Sequence, residues 1–243
     1  MQTNYSQEMD SLIAGMKIDS RYDLVVSKTA KVELPFGVVA VRCKGSDDLI
    51  RLPMLNKAVS VADADLVTDN SIVATVNDTA LDPVSFSTSH DSTMEDIASA
   101  IEAVDAVESA VADGRTITAV AVDGSDISLS IEVTGGSSQA TFTTSYETAD
   151  DIDSDGFLVG HTHATEESKY PADAVVSSVE EGALAVVCET AMTPDDTVYV
   201  RFTGTGTVGA VRNDSDSGKA VAVPSLKVIR SSSGAGLVAL KIR

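Results

Sequence analysis

The sequence predicts a mainly β protein: a barrel- or sandwich-like body made from both ends of the chain, interrupted by a small α+β domain. Three observations carry that prediction. Hydrophobic residues fill 43% of the 243 positions but aromatics only 4%, with no tryptophan, so the core must be built largely from Val, Ala, Ile and Leu. Abundant Val and Thr in short runs, punctuated by Gly, Asp and Pro, favours strands joined by turns. Charge, finally, is unevenly distributed. Residues 1–57 hold eight basic and seven acidic side chains and residues 157–243 hold eight and ten, whereas residues 58–156 set twenty acids against Arg115 alone. So sharp a shift in composition marks a boundary. We place the body at residues 1–66 and 156–243 and the acidic insertion domain at 67–155.

Taken in chain order, "SQEMDSLIAGM" spaces Met9, Leu12, Ile13 and Met16 as a helix would, with an extended arm as the alternative. "GVVAVRC" reads as a strand. Within the insertion, "SIVATVNDTALDPVSFST" reads as two short strands about an Asn77-Asp78 turn. "DSTMEDIASAIEAVDAVESAV" switches to helical spacing, with Met94, Ile97, Ile101 and Val104 on one stripe and Ser92 with Glu95 as a capping box. "RTITAVAVDGSDISLSIEV" reads as a hairpin about Asp123-Gly124, and "GGSSQATFTTSYET" closes with another strand. One helix over an antiparallel sheet of about five strands suffices for a small independent core.

Beyond the insertion, "DAVVSSV", "ALAVVCE", "TVYVRFT", "KAVAV", "LKVIR" and "GLVALKIR" read as strands separated by turns at Glu181-Gly182 and Pro194-Asp195-Asp196. Val198, Val200 and Phe202 point one way, Tyr199 and Arg201 the other. Many short strands at regular spacing indicate a sandwich or barrel. Cys43 and Cys188 both lie in apolar runs and read as buried thiols, with a disulfide between them as the alternative.

Composition bounds the function classes. A formal net charge of −20 opposes binding to nucleic acid and to anionic membranes. No apolar run is long enough to span a bilayer, and the first residues lack the basic flank and greasy segment of a secretory signal.

Three local patterns suggest chemistry. "DIDSDGF" sets Asp151, Asp153 and Asp155 at alternate positions before Gly156, as a calcium loop begins. The twelfth position, where such loops carry a bidentate Glu, is Thr162. The stretch therefore reads as a solvated hinge, with a looser calcium site on the three aspartates as the alternative. His161 and His163 share a face if extended, but zinc needs further ligands and only Glu166 and Glu167 lie near. "GTGTVG" at 204–209 matches a dinucleotide fingerprint by letter, yet turn and strand follow where a helix must start. No G-x-S-x-G elbow is present, and three histidines, His90 among them, offer few general bases. No catalytic or cofactor-binding residue is assigned, and no enzyme activity is expected.

The two ends of the chain resemble the structural cement, or capsid decoration, proteins of tailed bacteriophages. "NYSQEMDSLIAGMKIDS" is similar to that family's opening, and "LPFGVVAVR" and "IRLP" to its first strands. The stretch from "YPADAVVSSVEEGALAVVCE" through "TPDDTVYVR", "GAVRND" and "GKAVAVP" to "GAGLVALKI" is similar nearly throughout. The resemblance spans about 145 of the 243 residues and omits the acidic middle. It implies a jelly-roll-like body that binds the outside of the assembled shell, with the major capsid protein as partner and a homo-oligomer (dimer or trimer) as the acting form. It implies a place on the virion surface after synthesis in the host cytoplasm, no catalysis and no cofactor. The polar arm around Asn4, Tyr5 and Gln7 is the capsid-contact candidate. The alternative is an exposed binding module whose insertion contacts a host surface, adhesin-like and calcium-dependent.

Overall fold

The computed structural model describes residues 12–18, 23–122, 125–160 and 168–242. The first segment supplies β1 (Leu24–Ala30), β2 (Leu34–Pro35), β3 (Val39–Arg42) and β4 (Leu49–Arg51). The middle supplies β5 (Lys57–Ala62), β6 (Asn70–Val76), β7 (Thr79–Ala80), β8 (Val84–Ser85), helix α1 (His90–Glu102), β9 (Val107–Asp113), β10 (Thr116–Ala121), β11 (Leu129–Gly135) and β12 (Phe142–Glu147). The last segment begins with a single turn, α2 (Ile152–Asp155), and continues with β13 (Gly156–Val159), β14 (Lys169–Tyr170) and β15 (Val175–Cys188). It ends with β16 (Tyr199–Arg201), β17 (Val211–Arg212), β18 (Ala220–Ala222), β19 (Leu226–Arg230) and β20 (Gly236–Ile242). The protein is mainly β.

The chain divides into two compact units, residues Met1–Pro53 with Asp151–Arg243, and residues Met54–Asp150. These boundaries correct the sequence placement at both ends. Residues 54–66 belong to the middle unit because β5 lies between β10 and β12 in an antiparallel sheet. Residues 151–155 belong to the terminal unit, where Ile152 is buried in the core and Asp153 accepts from the Ser225 amide. The charge moves with them. The terminal unit holds fifteen basic and twenty acidic side chains, net −5, and the middle unit two and seventeen, net −15.

In the terminal unit β1, β4, β3, β13 and β15 pair in succession, and β1 pairs back to β15, closing a five-stranded ring. Ala30, Leu34, Phe36, Val38, Ala40, Ile50, Phe157 and Val176 cluster with it. β15 is the hinge of the architecture. Its first half pairs with β1 and its second half with β20, with Leu24 opposite Glu181 and Ile242 opposite Gly182. The turn expected at Glu181-Gly182 is therefore not a turn but a corner within one fourteen-residue strand. Gly182 has φ +140°, and a Cβ there would press on the Asp23 carboxylate. A bend that passes one strand between sheets is how barrels and orthogonal sandwiches turn corners. A second core, with Leu184, Val186, Val200, Leu226 and Leu240, packs along the other half. The turn at 194–196 forms as expected, Thr193 N donating to the Asp196 carboxylate at 2.7 Å. Cys43 and Cys188 are buried thiols and are not bridged.

The helical alternative for residues 6–16 does not form over the described part, residues 12–16, which is not helical. Gly15 N donates to Ala185 O and Ala185 N to Met16 O, so this stretch runs along β15. Met9 lies outside the described residues.

Among its described residues, the middle unit holds one helix and two four-stranded sheets rather than a single sheet. One has the order β12-β5-β10-β9; in the other β6 pairs β11, β7 and β8. The Asn77-Asp78 turn forms as read, both residues at positive φ with Val76 opposite Thr79. The Asp123-Gly124 hairpin does not: β10 and β11 lie in different sheets, and residues 123–124 are outside the described set. The tight hairpin is instead β9 to β10, where Gly114 at φ +54° follows Asp113. Helix α1 also ends at Glu102, earlier than its apolar spacing suggests, because Val107–Asp113 pairs with β10. Its cap is Ser89, whose hydroxyl accepts from Ser92 N, not Ser92 itself. Met94, Ile97 and Ile101 are fully buried between helix and sheets.

Candidate functional site

The three aspartates of "DIDSDGF" diverge. Asp151 caps the single turn α2, accepting from Ser154 N at 3.2 Å and Ser154 Oγ at 2.7 Å. Asp153 Oδ1 accepts from Ser225 N at 2.7 Å, and Asp155 lies 3.7 Å from Arg42 Nε. Alternate carboxylates converge only when the backbone wraps around an ion; here one helical turn points them to separate protein partners. Among the described residues, no group of three or more His, Cys, Asp or Glu side chains is placed to hold a metal ion. His161, His163, Thr162, Glu166 and Glu167 lie outside the described residues, as do Asn4, Tyr5 and Gln7. His90 begins α1 and accepts from Leu66 N through Nδ1 at 2.9 Å, a structural tie.

A charged cluster that sequence reading missed lies beneath the "GTGTVG" loop. Arg201 is 4% exposed, although strand alternation places it on the outward face of β16. Its Nε donates to Glu189 Oε1 at 2.8 Å, its Nη2 to Asp216 Oδ2 at 2.6 Å and its Nη1 to Thr203 O at 2.8 Å. Arg212 joins through Nη1 to Glu189 Oε2 at 3.0 Å and through Nε to Asp214 at 2.7 Å. Thr207 N donates to Glu189 as well, and a Cβ on Gly206 would collide with Glu189 and Arg201. β17, not a helix, follows the loop. The glycines therefore serve a close approach of backbone to a salt-bridge network, not a phosphate.

The electrostatics follow from that geometry. Burial pushes Glu189 up, but Arg201, the Thr207 amide and Arg212 outweigh it and hold the carboxyl below its usual range. Arg201 hydrogen bonding lowers Asp216, and Arg212 lowers Asp214. Both guanidiniums are pushed up by their carboxylate partners. Two cations and three anions, each satisfied, lock two loops to the sheet. The only sequence signal was a pair of arginines bracketing a glycine-rich loop in "RFTGTGTVGAVR".

A cavity of about 300 Å³ lies where residues 15–17 run beside β15, walled by Met16, Val25, Val179 and Leu184. Its ionic content is the Lys17–Asp23 pair at 2.5 Å, and its lining holds no histidine or cysteine. Among the described residues, no helix is long and apolar enough to cross a membrane.

No protein-family model matches the chain, and no curated protein matches it.

Proposed function

We propose that this chain is a tailed-bacteriophage structural protein that binds the outer surface of the assembled capsid and cements neighbouring major capsid protein subunits, acting as a homo-oligomer and without catalysis. The observation that carries the reading is a coincidence of boundaries. Every stretch that resembles the cement family, at 4–20, 34–42, 50–53 and 170–243, falls in the ranges of the terminal unit. The last of the N-terminal matches, "IRLP", ends at Pro53, where that unit breaks off. The acidic unit then interrupts a body whose resemblance resumes after it.

Physical chemistry supports the role. A standard interface buries on the order of 800 Å² per partner, and repeated sites on a shell multiply weak contacts through effective concentration. A unit of net −5 approaches a protein surface with far less repulsion than one of −15. Rigid loops, such as the pair held by Arg201 and Arg212, lower the ordering cost of binding. The arm with Asn4, Tyr5 and Gln7 is the segment we assign to a neighbouring capsid subunit.

Electron cryomicroscopy of virions with and without this protein tests the reading. Added density on the outer shell, bridging capsid subunits and matching the terminal unit, is the expected result. Identical shells in the two preparations would overturn it.

A further inference from the structure

Asp216 is the last acid of the chain. The 27 residues after it hold five bases and no acid, in a chain of net charge −20. Three of those bases lie on the hairpin β19–β20. Lys227 stands directly opposite Lys241 and Arg230 opposite Ala239, so the three side chains share one face, while Leu226, Val228 and Leu240 go to the core from the other. A bulge between Val228 and Arg230 leaves Ile229 beside them, 44% exposed.

Like charges directly opposite on paired strands destabilise the pairing, and no acid offsets these. Arg21 and Arg243 lie outside the described residues. Of the fifteen other Lys and Arg side chains, twelve have a hydrogen-bond, ion-pair or charge partner, and Lys227, Arg230 and Lys241 have none. Glu181, the nearest acid along the neighbouring strand, lies beyond the Gly182 corner from Ala183, which stands opposite Lys241.

Helix α1 has the converse fault. It carries no Lys or Arg, and its Asp91, Glu95, Asp96 and Glu102 are exposed, without a hydrogen bond or ion pair among the described residues. Asp91 and Glu95 are four apart, where like charges repel. Glu102 closes the helix, where the dipole disfavours an acid.

We infer that the outer face of β19–β20 docks on helix α1 of a second copy of this chain, Lys227 and Lys241 meeting the carboxylates of Asp91 and Glu95. The spacings match. Cβ atoms directly opposite on paired strands lie about 4.5–5.5 Å apart, and those four apart on a helix about 5–6 Å. Each self-repelling pair relieves the other, and Ile229 adds an apolar contact between them. The two surfaces differ, so the contact is heterologous and can repeat around a ring. Exposed ion pairs contribute little singly, so it is weak in dilute solution and populated when copies are concentrated. It does not rest on the capsid reading.

The test mixes full chain of natural isotope content with full chain labelled with heavy nitrogen, at high concentration in about 0.1 M NaCl. Net repulsion is then screened beyond about 10 Å, and a carbodiimide joins ammonium to carboxylate where the two touch. Mass spectrometry should find peptides that pair Lys227 or Lys241 of one isotope with an α1 acid of the other. In sedimentation, the dimer fraction should fall at least about threefold in about 1 M NaCl. Lys227→Glu with Lys241→Glu should lower it as far, at an unchanged melting temperature. Absence of dimer, cross-links confined to one isotope, cross-links from these lysines to acids outside α1, or a dimer fraction indifferent to the double substitution would each overturn the inference.

Discussion

Asn56 and Asp150, 94 positions apart in sequence, are joined side chain to side chain at 3.1 Å. Around that bond Met54 N donates to Asp150 at 3.1 Å, Ala149 N to Asn56 Oδ1 at 2.6 Å, and Lys57 pairs with Glu147. The two strands through which the chain enters and leaves the acidic unit are thus stitched side by side. That is the geometry in which one domain can be inserted into another without straining it.

Asn56→Ala removes a side chain only 4% exposed and leaves the Ala149 amide and Asp150 without it. The expected cost is about 2 kcal/mol, or roughly 10 °C in the melting midpoint of a unit near 100 residues. Calorimetry should show the loss in the transition of residues 54–150 alone.

The β content, the split of the chain and the Asn77-Asp78 turn were legible in the sequence because each rests on local chemistry: alternation, composition, or residues that tolerate positive φ. The misplaced features depend on pairing across distance. β5 looks like body from its neutral flank and is claimed by β10 and β12. Glu181-Gly182 has turn chemistry, but the glycine serves a corner in one long strand. Asp123-Gly124 has hairpin chemistry, but the flanking strands part to different sheets. Arg201 obeys alternation and is still buried, because loops fold over the outer face of β16. Of the candidate site, the separate partners of Asp151, Asp153 and Asp155 became visible only with the backbone of α2.

Gly182→Val should destabilise the terminal unit by about 2 kcal/mol or more, because it forces a side chain against Asp23 at φ +140°. Asp23→Ala should recover part of that loss. Chemical denaturation of the two single variants and the double variant measures the coupling.

Glu189→Gln breaks the network while Arg201 stays buried, at an expected cost of about 3 kcal/mol at neutral pH. The pH dependence has a definite sign. Glu189, Asp214 and Asp216 are all held below their ordinary values in the fold. Their contribution is complete above the unfolded carboxylate range and is lost as pH falls through the folded values. Acid titration of the melting midpoint should show a steeper acid limb for the native chain than for Glu189→Gln.

Calcium should leave the melting temperature unchanged, since Asp151, Asp153 and Asp155 serve separate partners. A rise of several degrees in millimolar calcium, abolished by Asp153→Ala, would restore the calcium site and the adhesin-like alternative.

The most direct measurement uses a variant in which residues 54–150 are replaced by a short flexible linker. Its melting is recorded first, and then its sedimentation with shells stripped of this protein. Cooperative unfolding and saturable binding, with an occupancy equal to that of the full chain, are the predicted results. A variant that melts cooperatively yet stays in the supernatant would contradict the claim that the two terminal segments together form the capsid-binding body, and so would one that never folds.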